Sequence, residues 1–439
     1  MQAALIERLR GIVGAPHVLC GIEVSPYVVE GRTPEVAVFP GNADEVRAVV
    51  TLAGEAEVPV VPWGGGTAAA AGMPAPRPGL VLGLRRLNRV LEHEPGDLTV
   101  TVEAGCTVGA LQSRLAERGQ WWSLDPPDPD RATVGGVIAT NASGPRRHLY
   151  GTARDLLIGL TVVTADGALV RGGGKVVKNV AGYDLPKLFV GSCGTLGIIV
   201  DVTMKLRPRP DDERLVFVPF DRLKDAGAAL RAVMASDLIP SAIELLDGEA
   251  LQALGLLKAP AGLVAGFDGL PEQVTWQIRA LGRLVHGDGP EPRPVPPELW
   301  PRLAGAAAAA FATPAAVMRL TVLPTQVAEV MDQGAAVAGA RGLASAWSAH
   351  AGVGVITAGL ALRPGARQDI DAVSDVLREW RAIARACTGY ARIESAPLAV
   401  KEAVGVWDEG GAAARIMQRI KRELDPRNIL NPGRFVESI

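Results

Sequence analysis

The spacing of apolar residues divides the chain into alternating elements. Residues 34–39 read as extended. Asn42 then opens a helical spacing with Glu45 three positions on, a capping box, and this helix runs to about residue 57. Residues 58–61 form a short apolar strand, followed directly by Gly64-Gly65-Gly66-Thr67. A second unit has strand 98–103 and a helix capped by Thr107 and stopped at Gly119. A third glycine-rich region, 133–144, follows a proline-rich loop. Strands 156–164 and 168–171 flank an Asp166-Gly167 turn, a hairpin signal. Another glycine-rich turn, 191–197, leads into strand 198–206, and Arg207-Pro-Arg-Pro210 reads as a boundary.

The second half changes character. Residues 214–286 run strand, helix, strand, strand, helix, and a proline-rich linker spans 290–301. Residues 316–394 repeat the order: strand 317–323, helix to 340, strands 343–348 and 353–362, helix 366–386 and a short strand near 391–394. Two β-α-β-β-α-β halves build an antiparallel sheet with helices on one face. A helix over 411–424 ends in Asp425-Pro426 and a proline-glycine tail. The fold class is therefore α+β: an N-terminal domain over 1–210, a cap over 211–400 built from two ferredoxin-like halves, and a C-terminal segment over 401–439 that returns to the first domain.

Composition narrows the function. With 439 residues and 48 % hydrophobic positions, the chain can fill more than one core. A net charge of −2 without a basic run excludes a nucleic-acid footprint. Four scattered cysteines and no CxxC give no iron–sulfur or zinc site of the chain's own, and suit a reducing cytoplasm. The N-terminus reads as a short amphipathic helix, not a signal peptide. The longest apolar stretch, 303–318, is alanine-rich and too short to span a membrane, so membrane association would come only through partners.

The glycine-rich loops carry the chemistry. Gly64, Gly65, Gly66 and Thr67 after a buried strand let backbone amides approach a pyrophosphate, although a plain glycine turn would read the same way. The run has neither the Gly-Lys-Ser/Thr of a P-loop nor a GxGxxG fingerprint. The next run is denser in small residues: Pro126, Asp128 and Pro129, then Thr133-Val-Gly135-Gly136 and Ala139-Thr-Asn141-Ala-Ser143-Gly144. It leaves room for a flat, rigid ligand, with Thr133, Asn141 and Ser143 as hydrogen-bonding partners.

These residues resemble the FAD-binding domain of the PCMH-type (vanillyl-alcohol oxidase) superfamily. The match continues through Tyr150-Gly151-Thr-Ala-Arg-Asp155, Lys178-Asn-Val-Ala-Gly-Tyr-Asp184 and Gly191-Ser-Cys-Gly194-Thr-Leu-Gly197-Ile198-Ile199, and ends at Lys421 to Phe435. Within the superfamily the chain is most similar to the branch of the FAD-binding subunits of bacterial glycolate oxidase. The resemblance implies an FAD extended between two α/β subdomains within 1–210. Its pyrophosphate would meet Pro62, the 64–72 loop with Gly72, and the 133–144 region. Gly194, Gly197, Ile198 and Ile199 would line the flavin or adenine, the cap would cover the isoalloxazine, and the tail would bring Asn431 near the cofactor. It also implies partners: a paralogous catalytic flavoprotein and an iron–sulfur subunit, acting on a small 2-hydroxy acid.

The chain departs from its relatives at three places. Alanines replace the glycine or serine common at 68–71. Neither flavin loop carries a histidine or cysteine, so the FAD is expected to be non-covalent. In the cap, Ser348-Ala-His350-Ala-Gly-Val-Gly-Val-Ile356 keeps one histidine of the several that bind metal and substrate in catalytic relatives. One histidine does not make a metal site, so none is expected. Of the cap histidines, His350 is the candidate base, unless it is a satisfied core residue. Arg319, on an apolar strand, could clamp a substrate carboxylate or be a partly exposed charge. The pattern leaves open a subunit that relays electrons within a complex and a stand-alone FAD-dependent 2-hydroxy-acid dehydrogenase.

Overall fold

In a computed structural model, residues 3–175, 183–256, 258–286, 292–362 and 369–439 are described. Residues 178–182 of the matching run lie outside them, as do the start of the 366–386 helix and residues 290–291 of the linker. The chain forms two compact units: residues 1–142, 152–209 and 409–439, and residues 143–151 with 210–408.

The first unit holds two main sheets. Val18–Cys20, Val36–Val38, Leu80–Gly83 and Val60–Trp63 lie side by side in that order, the last three mutually parallel. Val36–Val38 and Leu80–Gly83 are buried throughout, as continuous apolar runs in parallel strands require. The helix Ala43–Glu55 enters through Asn42, whose Oδ1 accepts from the Glu45 amide at 2.9 Å. The second sheet is antiparallel: Val90–Glu94, Thr99–Glu103, Ile198–Lys205, Leu157–Val163, Leu169–Gly173. Its hairpin turns at Asp166, whose Oδ1 accepts from the Ala168 amide. One apolar core joins both sheets.

The second unit is built on an eight-stranded antiparallel sheet ordered Arg293–Val295, Asp212–Phe220, Ala261–Gly269, Ala242–Asp247, Ala344–His350, Val355–Ala361, Ala316–Thr321, Tyr390–Ser395. The halves meet where Ala242–Asp247 pairs with Ala344–His350, through Glu244↔His350, Leu245↔Ala349 and Leu246↔Ser348. Trp347 packs over Gly334 of the helix Val327–Ala340 and against Trp380 of Ile370–Ala386, with ring centroids 4.7 Å apart. The opposite face is not bare, as a one-sided arrangement would leave it. Short helices Gly248–Leu254, Trp300–Leu303 and Ala306–Ala309 cover part of it, over Phe217, Leu246 and Val264. The sequence reading missed the first of these because seven residues between two strands show no helical period.

Ser143–Gly151 belongs to the second unit, correcting the expectation that the 133–144 run and Tyr150-Gly151 stay with the first domain. Arg146 holds the segment there by pairing with Glu213 and lying 4.1 Å over the Trp300 ring. The tail joins the first unit from residue 409, not 401.

Asp247 caps Gly248–Leu254 by accepting from the Ala250 amide at 2.9 Å, and burial pushes its carboxyl up to about 6. Its folded-state pKa is raised, so its stabilisation is complete below the ordinary 3.8 and is lost as pH rises to about 6. Two pKa units correspond to about 3 kcal/mol. D247N keeps a capping oxygen without the charge. Urea unfolding across this window should show wild type losing about that much more stability than D247N. Parallel pH profiles would contradict it.

Candidate functional site

An open cavity of about 120 Å³ lies in the first unit. Its walls come from the end of strand Val60–Trp63, the loop 64–71, the helix Val134–Thr140, the turn 193–199 and the C-terminal tail. Thirteen expected cofactor residues line it: Pro62, Gly64, Gly65, Gly66, Thr67, Thr133, Gly135, Gly136, Gly194, Gly197, Ile198, Ile199 and Asn431.

The backbone amides of Gly64, Gly65, Gly66, Thr67 and Ala68 make no hydrogen bond among the described residues. Successive free amides form an anion-binding concavity, which fits a pyrophosphate. The helix Val134–Thr140 offers no such donors. Val134 N donates to Cys106 O at 2.8 Å, Gly135 N to Ala104 O at 2.8 Å and Gly136 N to Thr133 Oγ1 at 3.3 Å. The 133–140 run is thus a capped helix, not a phosphate loop, and the hydroxyl of Thr133 is occupied as its cap.

The glycines divide by role. A Cβ on Gly65 would stand 1.7 Å from Arg131 O, and one on Gly135 would stand 2.6 Å from Ala104 Cβ, so both serve backbone packing. A Cβ on Gly136 would meet only Thr133 Oγ1, at 3.1 Å, and would otherwise point into unfilled space.

Nine expected residues are not in the cavity wall. Gly72 packs under Arg434. Asp128 pairs with Arg131 at 3.0 Å, and Pro126 is buried beside it in sequence. Asn141 ends the 134–140 helix in the left-handed region with φ 50°. Asp155 caps its own short helix by accepting from Thr152 N at 2.7 Å. Ser143, Gly144, Tyr150 and Gly151 lie in the second unit. A shared run in sequence thus separates into cavity, cap and second-unit roles.

The sequence reading missed Arg434, Trp63 and the contribution of Cys193. Arg434 is 6 % exposed, lines the cavity, and its guanidinium donates to Ala69 O at 2.9 Å and Ala71 O at 2.6 Å. Burial lowers its pKa, against the opposing pull of Cys193 and Glu30. Ala68, Ala69 and Ala71 therefore stay in the wall, held from behind by the tail. Asn431 Nδ2 donates to Cys193 O at 2.7 Å. The signal available was the conjunction of Asn431 and Arg434 within one tail motif.

In the second unit His350 is not isolated. Its Nδ1 lies 2.8 and 2.9 Å from Oε1 and Oε2 of Glu244, which is 1 % exposed. Burial raises the Glu244 pKa, while His350 and then Arg147 oppose the rise. His148 packs on Gly352, and burial lowers its imidazole pKa. Arg319 Nε lies 2.8 Å from Glu394 Oε1, and Arg392 reaches the same oxygen at 2.9 Å. Burial works to raise the Glu394 pKa, but the two arginines outweigh it and keep the carboxyl below its ordinary value. Arg319 is therefore engaged by a carboxylate of its own sheet. Among the described residues no three His, Cys, Asp or Glu side chains converge as a metal centre, and no helix is long and apolar enough to cross a membrane.

Comparison with known proteins finds two family matches along the chain. Residues 34–173 match the FAD binding domain, and residues 209–435 match the C-terminal domain of FAD linked oxidases. The glycolate oxidase subunit GlcD of Bacillus subtilis (strain 168) is 37 % identical over 49 % of this chain and 46 % of its own length. The mitochondrial D-lactate dehydrogenase [cytochrome] of Arabidopsis thaliana is 29 % identical over 92 % of this chain and 73 % of its own. The structure of p-cresol methylhydroxylase superposes with a TM-score of 0.77 over 98 % of this chain and 96 % of that one, at 17 % identity, a likeness of fold.

Two glycine substitutions test the cavity. G136V should give a folded protein that retains little FAD, because its side chain enters the space the cofactor needs. G135A should instead lower stability by about 1–3 kcal/mol through overpacking on Ala104. Flavin absorbance per chain and thermal unfolding separate the two effects. Full occupancy in G136V would place the cofactor elsewhere.

Proposed function

Because the chain belongs to the FAD-linked oxidases of the PCMH-type (vanillyl-alcohol oxidase) superfamily, we propose that it is the FAD-binding flavoprotein of a complex that oxidises glycolate or a related 2-hydroxy acid. The cofactor is FAD. The free amides of 64–68 would hold its pyrophosphate, Arg434 would place a buried positive charge in the same wall, and Asn431 would fix the turn at Cys193. When bound, FAD supplies a hydride acceptor. A 2-hydroxy acid gives up its α-hydrogen with the bonding pair, its hydroxyl proton passes to a base, and a 2-oxo acid leaves.

Kinship to a glycolate oxidase subunit and to D-lactate dehydrogenases supports the substrate class. One observation carries the subunit role: Arg319, the expected carboxylate clamp, is already paired with Glu394. A guanidinium already engaged by a carboxylate holds a substrate carboxylate more weakly, so a paralogous flavoprotein is the natural site of hydroxy-acid binding. An iron–sulfur subunit would take the electrons onward. We place the complex in the cytoplasm, with any membrane contact made through these partners.

A second reading is favoured by the Glu244–His350 pair. A histidine held by a carboxylate is the usual form of a general base, so the chain could oxidise hydroxy acid by itself.

Acid precipitation should release intact FAD into solution. Flavin that stays with the precipitated chain would mean a covalent link, for which Cys193 is the thiol in the cavity wall. Anaerobic stopped-flow bleaching of the flavin band tests the subunit role. Glycolate or D-lactate should reduce the isolated chain about 10²–10⁴-fold more slowly than the co-expressed complex, the loss expected without a positioned base. Equal rates would establish the second reading.

A further inference from the structure

We propose that Glu244 is a positioning residue that fixes the tautomer of His350 and so makes its Nε2 a proton acceptor for a hydroxyl group. The proposal rests on the second reading above, in which the second unit receives the hydroxy acid.

The pair sits at the seam between the two halves of the sheet, where Glu244 stands opposite His350 in register. A buried carboxylate costs free energy that an apolar residue of similar volume would spare, so shape alone does not call for a glutamate here. Both carboxylate oxygens address one ring nitrogen, at 2.8 and 2.9 Å. An ionised carboxylate can only accept, so opposite it Nδ1 carries the proton. In the neutral ring the lone pair then belongs to Nε2. That atom makes no hydrogen bond among the described residues.

Burial raises the Glu244 pKa, and the His350 imidazole opposes that rise. Arg147, brought in by the 143–151 segment, draws the Glu244 pKa down against burial. His350 also ends its strand and opens the turn Ala351–Val353, whose Gly352 carries the His148 ring. The backbone of the acceptor is thereby held on both sides. In the reaction the substrate O–H bond would break with its proton passing to Nε2; FAD, when bound, would supply the acceptor for the α-hydrogen and its electron pair. The resulting imidazolium is stabilised by the carboxylate at Nδ1.

The test uses the full chain, with its partner subunits for turnover. The protein has five histidines, so long-range 1H–15N correlation spectra of 15N-histidine-labelled protein can be assigned with H350N. Wild type should show Nδ1 protonated and Nε2 bare. E244M removes the acceptor and should shift the ring to the Nε2–H form. With glycolate or D-lactate it should lower kcat at least about 10²-fold with KM little changed, at unchanged FAD content, and E244D should restore part of both. If E244M does not fold, E244Q is read in the same way. An unchanged tautomer, an unchanged kcat, or an H350N variant as fast as wild type overturns the proposal. If hydroxy acids fail to reduce wild type even in the complex, the hydroxy-acid reading fails instead. The spectra need no substrate and still decide whether Glu244 fixes the ring.

Discussion

A single buried ammonium organises the cofactor side of this protein. Lys421 Nζ is sealed inside the first unit and donates to Asp425 Oδ2 at 2.7 Å, Thr195 O at 2.8 Å and Leu430 O at 2.9 Å. All three of its protons are used. Asp425 in turn accepts from the amides of Ile429 and Leu430. Burial depresses the Lys421 pKa, and Asp425 counters it. Removing one partner of such a pair leaves a buried charge that costs about 3–5 kcal/mol. The network therefore dictates the path of the tail. From it the chain runs along Val60, with Val60 N donating to Ile429 O at 2.7 Å and Asn431 N to Val60 O at 2.8 Å. Asn431 then reaches Cys193, and Arg434 reaches Ala69 and Ala71. Three walls of the cavity are thus tied to one ion pair.

That constraint explains how the 64–68 loop can carry five unbonded amides without collapsing. A loop with so many free donors would ordinarily fold back on itself to satisfy them. Here its neighbours are fixed from outside: Arg434 takes the carbonyls of Ala69 and Ala71, and Arg131 takes the carbonyl of Gly65. The carbonyl of Gly65 is spent on an arginine, those of Gly66 and Ala68 on the amides of Ala69 and Ala71, and the five donors are left over. Such a loop is preorganised for an anion, and little ordering remains to be done on binding.

Much of this was legible in the sequence, and the limits have physical causes. Period and capping located almost every long element, because signals such as Asn42 with Glu45 and Thr107 are local. The glycine loops also announced themselves, because close backbone approach excludes side chains. What the sequence could not distinguish was which glycine faces a ligand and which faces protein. Gly135 and Gly136 are adjacent and identical in composition, yet one packs on Ala104 and the other borders open space. Nor could it show that Ser143–Gly151 leaves the first unit, since Arg146 finds Glu213 only after 67 residues of chain have folded. Glu244 and His350, 106 positions apart, were invisible as a pair for the same reason.

The two units also differ in how they handle polar groups, and the difference bears on function. The first keeps backbone donors free, pairs its buried Lys421 with Asp425 away from the loop, and sets Arg434 on the carbonyls of Ala69 and Ala71. The second matches its sheet-borne charges with carboxylates: Glu244 for His350, and Glu394 for Arg319 and Arg392. The two matches are not equivalent. Glu394 cancels one of the two positive charges that the arginines could offer an incoming carboxylate, which weakens a binding site. Glu244 takes only Nδ1 of an imidazole that has a second nitrogen to use, which leaves a proton-accepting site intact. The same device of a buried glutamate beside a cation thus disarms one candidate group and prepares the other. Whether this chain handles substrate itself accordingly turns on the acid–base pair at the sheet seam and not on Arg319.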